Sequence, residues 1–113
     1  MALPADILVV EDSLLVAMSL ENVLIEAGYE VTVADTNAAA RAAAVQTVFS
    51  AALVDYHLPD GDCVALCAEL RAAGTRVALV TGIDRSSAEP STQFDRIFYK
   101  PIEEHALLAW LGG

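Results

Sequence analysis

The chain has 113 residues, 56% of them hydrophobic, with sixteen acids against six Lys and Arg and a net charge of -10. That length fits one domain over residues 1–113, large enough for a core and too small for two, and the hydrophobic fraction excludes a disordered chain. The acidic balance would repel a phosphate backbone, which argues against direct DNA or RNA binding; no apolar run reaches the roughly 18–20 residues that span a bilayer, so no membrane association is expected.

The first residues, MALPADILVVED, carry neither a basic n-region nor a cleavage pattern, so a signal peptide is not expected. Residues 7–10 are a short apolar run that reads as a strand. Residues 13–27 place Val16, Leu20, Val23, Leu24 and Ala27 at helical spacing, and Gly28 is a natural stop. Residues 31–34 form the second strand, and Asn37 is suited to cap a helix over residues 38–45. Residues 51–54 form the third strand, which runs straight into Asp55 and the turn Leu58-Pro59-Asp60-Gly61. A helix over residues 62–73 ends at Gly74, and its stripe of Cys63, Leu66, Cys67 and Leu70 faces the core. The cysteines therefore read as small buried hydrophobes. They offer no disulfide framework, and the profile is cytoplasmic. Residues 77–80 are the fourth strand, residues 97–99 the fifth, and residues 103–111 the closing helix.

Strand and helix alternate throughout, and short strands that are apolar on both faces belong to a parallel sheet covered on both sides. Right-handed crossovers then give a doubly wound α/β domain. The stretch GIDRSSAEPSTQFDR, residues 82–96, breaks the rhythm. A helix belongs there, but Pro90 falls mid-segment at a cost of about 3 kcal/mol inside a helix. This fourth helix is expected to be short, irregular or absent; a short helix bounded near Pro90 is the alternative.

In an open α/β sheet, ligands bind at the carboxyl ends of the strands. Glu11-Asp12, Asp55, Thr81 and Lys100-Pro101 stand at those ends. At about 5 Å and an effective dielectric of about 20, each pair of like charges costs roughly 3 kcal/mol. Lys100 offsets part of this. A divalent metal offsets more, and all-oxygen ligands favour Mg²⁺ or Mn²⁺ over zinc. A carboxylate also attacks phosphorus to form an aspartyl phosphate, and phosphoryl transfer mostly needs positioning and charge neutralisation. On this reading the third strand is a rigid mount and Asp55 its nucleophile. Lys100 and Thr81 would hold the phosphoryl oxygens.

The motifs VVED, LVDYHLPDG, LVTG and YKP, in this order and spacing, resemble the receiver domain of bacterial two-component response regulators over essentially the whole chain. The resemblance implies a flavodoxin-like, three-layer fold with a five-stranded parallel sheet in order 2-1-3-4-5. It implies phosphorylation of Asp55 and a divalent cation (Mg²⁺ or Mn²⁺) held by Glu11, Asp12, Asp55 and the backbone carbonyl of His57. Thr81 matches the switch hydroxyl, Lys100 the phosphate-binding lysine, and the bond to Pro101 is expected to be cis. The implied donor is a histidine kinase or a histidine phosphotransfer protein, and a phosphorylation-dependent dimer is compatible with the pattern. Such a domain catalyses only its own phosphorylation and dephosphorylation. The family often has Tyr or Phe three residues before the lysine; here that position is Ile97, so the usual coupling of threonine to a rotating aromatic is not expected. The irregular segment resembles a subset of single-domain receivers with a degenerate fourth helix.

The His57 ring either lies over the phosphoryl group or is an exposed loop histidine. His105 reads as exposed on the last helix and Trp110 as core or partner contact. Other functions fit less well. A phosphatase with an Asp nucleophile wants an acid two residues on, where His57 stands. A flavodoxin-like electron carrier needs a phosphate-cradling loop after the first strand, where EDSLL is acidic. A phosphorylation-independent interaction module, or pseudo-receiver, is the remaining alternative. Whether the chain acts alone or as part of a larger regulator or hybrid kinase is open.

Overall fold

Strand and helix alternate through the computed structural model, which describes residues 5–82 and 94–112. The elements are β1 (Asp6–Val10), α1 (Leu14–Glu26), β2 (Glu30–Ala34), α2 (Asn37–Gln46), β3 (Ala51–Asp55), the short strands β4 (His57–Leu58) and β5 (Gly61–Asp62), α3 (Val64–Ala72), β6 (Arg76–Thr81), β7 (Arg96–Tyr99) and α4 (Glu104–Gly112). Five strands form one sheet in the order β2-β1-β3-β6-β7, and every pairing in it is parallel. Numbered within that sheet, the order is 2-1-3-4-5. Most of the segment expected to hold an irregular helix, residues 83–93, lies outside the described residues.

Alternation along the strands sorts the core into two layers. Leu8, Val10, Ala52, Val54, Val77 and Leu79 pack with Ala40 of α2 and with Leu66, Cys67 and Leu70 of α3. Their neighbours Ile7, Val9, Ala51, Leu53, Ala78 and Val80 pack on the other face with Leu20 and Leu24 of α1 and Leu107 of α4. Each Leu, Ile or Val so placed contributes about 1.5–3 kcal/mol by leaving water. Because β1, β3 and β6 are buried on both faces, their carboxyl ends are held on a rigid platform.

The helix ends explain two departures from expectation. Thr36, not Asn37, is the N-cap of α2, its hydroxyl accepting from Ala39 N at 2.9 Å. Asn37 is instead the first helical residue, and its side chain is turned to a loop more than twenty positions further on. Helix α3 starts at Val64 rather than Asp62. Asp62 is occupied in the β4–β5 pair opposite His57, and its carboxylate accepts from Val64 N at 3.0 Å. Gly28 and Gly74 follow α1 and α3 with φ of 98° and 94°, left-handed values that let the chain leave a helix without a Cβ penalty. At the opposite end of the sheet Arg76 lies over the Trp110 ring at 4.3 Å and donates to Trp110 O at 2.7 Å, which ties the end of α4 to the start of β6.

Candidate functional site

Strand ends bring the expected residues to one edge. The step from β1 is continuous with the sheet, since Glu11 N donates to Ala34 O at 2.9 Å. Glu11 is buried with 3% exposure, Asp12 is exposed, and Asp55 is half-buried at the end of β3. One carboxylate oxygen from each of the three lies within 4.8 Å of the others. Lys100 enters from the end of β7, where its backbone N donates to Thr81 O at 2.8 Å. Its Nζ stands 2.7 Å from Glu11 Oε1 and 3.4 Å from Asp55 Oδ2. The Glu11 contact is a close ion pair rather than an aligned hydrogen bond, as Oε1 has no donor in hydrogen-bonding alignment among the described residues. Thr81 is buried at the end of β6, opposite Tyr99 in register. The Lys100–Pro101 bond is cis.

Burial by itself would lower the Lys100 pKa. The contact with Glu11 and the charges of Asp55 and Glu11 outweigh it and hold the ammonium above its ordinary value. The lysine is therefore a fixed cation at neutral pH, between a buried and a half-buried carboxylate. An all-oxygen cluster of this size fits a divalent cation, which would add charge neutralisation that one ammonium cannot supply to three acids.

The loop after Asp55 is held from α2. Asp60 accepts from the backbone N of Asn37 at 2.9 Å and of Ala38 at 3.0 Å, which places a carboxylate on the N-terminus of that helix. The Asn37 side-chain nitrogen reaches Asp60 Oδ1 at 3.1 Å and the carbonyls of Gly61 and Asp62 at 3.2 Å each. From the sequence, Asp60 reads as a turn residue and Asn37 as a cap. The LPDG turn was a visible signal for Asp60, but its partner lies 23 residues away and no local pattern names it.

Residues 7–111 match the family described as the response regulator receiver domain. The chain belongs to the response regulator receiver domain family. The receiver domain protein of Methanospirillum hungatei JF-1 is 27% identical, with a TM-score of 0.86 over 96% of this chain and 91% of that one. The signal receiver domain of a signal transduction histidine kinase from Syntrophus aciditrophicus is also 27% identical, with a TM-score of 0.80 over 96% and 87% of the two chains. The receiver domain from Methylobacillus flagellatus, 24% identical with a TM-score of 0.84 over 96% and 97%, shares the fold. No curated protein matches the sequence. The flavodoxin-like receiver fold and the two-component setting read from the sequence thus stand.

Within this receiver domain, Ile97 packs against the core layer of α2 and α3, while Phe98 is buried in the other layer with its ring 6.1 Å from Trp110. Tyr99 is 38% exposed. The aromatics that follow Ile97 therefore do not replace one at position 97. His57 is exposed with its ring edge-on to Tyr56 at 4.8 Å, and the His105 side chain is 98% exposed. Cys63 and Cys67 are free and fully buried; the neighbouring Cys63 thiol and then burial push the Cys67 thiol far up, so Cys67 is not a ready nucleophile. Beside Lys100 a cleft of about 650 Å³ opens between α1 and the start of α4, lined by Leu15, Val16, Leu20, Pro101, Ile102 and Leu107. Among the described residues, no helix is long and apolar enough to cross a membrane.

Proposed function

We propose that this receiver domain is a phosphoacceptor, taking a phosphoryl group on Asp55 from the phosphohistidine of a histidine kinase or a histidine phosphotransfer protein. The observation that carries the reading is Lys100 Nζ between Asp55 and the buried Glu11, with Asp12 completing the acid cluster. An Asp55 oxygen attacks phosphorus and forms the acyl phosphate bond as the P–N bond breaks, and the imidazole leaves with its electron pair. A bound Mg²⁺ would neutralise charge on the phosphoryl oxygens. Glu11, Asp12, Asp55 and the His57 carbonyl would hold it. Lys100 neutralises a second phosphoryl oxygen on transfer and Thr81 donates to a third. Water later attacks phosphorus, the O–P bond to Asp55 breaks and phosphate leaves, which returns the carboxylate to its starting state. Leu14, Leu15 and Met18, 73%, 78% and 49% exposed on α1 beside the acidic edge, give the donor protein an apolar footing. With Ile97 packed against the core, the signal passes through Thr81 without a rotating aromatic at that position.

The test is incubation with Mg²⁺ and a small acyl phosphate, read as intact mass. Wild type gains one phosphoryl group; Asp55→Asn and a sample with EDTA gain none. No gain with the acyl phosphate or with a phosphohistidine donor would leave the phosphorylation-independent interaction module as the better reading.

A further inference from the structure

The loop that follows the nucleophile is held at both ends by different means. At its start, Tyr56 N donates to Val80 O at 3.3 Å, continuing the pairing of β3 with β6. At its far end the hydrogen bonds from α2 do this. Two backbone N–H groups of that helix take Asp60, and one side-chain amide nitrogen takes Asp60, Gly61 and Asp62. Between the two holds lies His57, paired with Asp62 across the β4–β5 hairpin.

We infer that Asn37 is a positioning residue for the cation site: its side-chain nitrogen, acting through Asp62 and the β4–β5 pair, sets where the His57 backbone carbonyl stands relative to Glu11, Asp12 and Asp55. The inference rests on the proposed cation site. Three observations support it. Asn37 is 5% exposed and its Oδ1 has no hydrogen-bond partner among the described residues, so burial leaves the amide oxygen unsatisfied there and the contacts of the nitrogen must offset that loss. Turning the amide over would aim Oδ1 at three other oxygens, so the side chain serves this loop only as a donor. The mount is itself rigid: Ala40 of α2 is fully buried in the core, and Leu58 and Cys63 anchor the loop into the same layer. Partners behind a ligand commonly set metal affinity without touching the metal.

Mn²⁺ binding to the unphosphorylated chain, measured by titration calorimetry beside a urea unfolding curve, tests this without any phosphoryl transfer. Asn37→Ala should bind Mn²⁺ about tenfold more weakly than wild type while folded. Arg41→Ala is the control. It breaks the exposed Arg41–Glu69 pair between α2 and α3 at 2.8 Å and should leave Mn²⁺ affinity unchanged. Should Asn37→Ala fail to fold, Asp60→Asn carries the test; it removes the charge from the helix end and should weaken Mn²⁺ in the same direction. Unchanged affinity in the folded Asn37 or Asp60 variant overturns the inference, as do equal losses in the Asn37 and Arg41 variants. Absence of Mn²⁺ binding by wild type would instead overturn the proposed function, and this inference with it.

Discussion

Lys100 faces two carboxylates at once, and one of them, Glu11, has almost no contact with water. Removing one member of a buried pair leaves the other charged without compensation. Lys100→Met should therefore destabilise the metal-free protein by about 2 kcal/mol at neutral pH, less than for a fully buried pair because the Lys100 side chain is 28% exposed. Urea unfolding in EDTA measures this, and Mg²⁺ should restore part of the loss by taking over the same oxygens. The pH dependence has a definite sign. A pKa raised on folding gives stability that is fully present below the ordinary lysine value of 10.5 and is lost as pH rises through the higher folded value, so the gap between wild type and variant should close only above about 10.5. A variant as stable as wild type in EDTA would mean that the contacts of Lys100 with Glu11 and Asp55 contribute nothing to the fold. The positions of Glu11, Asp12, Asp55, Thr81 and Lys100 were legible because each ends an apolar strand or follows one within two residues. The burial of Glu11 was not, because it depends on the β1–β2 ladder running one residue further, to Ala34 O.

At the scale of the element, α2 shows where local reading stops. Thr36 and Asn37 are both good caps, and the sequence alone does not choose between them. The choice is made by Asp60, which takes the N–H groups of Asn37 and Ala38 and leaves the Thr36 hydroxyl to Ala39. The strands and the glycine stops were legible because apolar runs and left-handed backbone act within a few residues; the hairpin start of α3 was not, because it depends on pairing with His57. The bonds to Asn37 and Ala38 hold the Asp60 carboxyl below its ordinary value of 3.8. A carboxyl depressed on folding contributes stability above its unfolded value and loses it as pH falls through the folded one. Acid titration of the fold, followed by circular dichroism, should therefore show wild type losing stability below about 3.8 more steeply than Asp60→Asn. Parallel acid limbs would show that the helix end does not sense this charge.

On the scale of the whole molecule, a net charge of -10 means that self-repulsion works against the compact state, and the acid cluster at the sheet edge concentrates it. The parallel platform that carries the cluster was legible from strand–helix alternation; the small gaps between the acids were not, because they follow from strand register. A divalent cation bound there acts in two separable ways. Diffuse screening depends on ionic strength and not on the cation's identity. Site binding depends on concentration relative to Kd, and at a hundredfold excess it should add about 2.7 kcal/mol. For a domain of this size that is a rise of about 10 °C in Tm. Thermal unfolding with Mg²⁺, with EDTA, and with NaCl at matched ionic strength separates the two. Mg²⁺ should give the full rise and NaCl a small fraction of it. Asp12→Asn should lower the Mg²⁺ increment while leaving the NaCl increment as it was, because Asp12 is exposed and its loss subtracts a ligand without disturbing the core. An Mg²⁺ rise matched by NaCl would reduce the effect to screening of the acidic surface, and the edge would then hold no cation site.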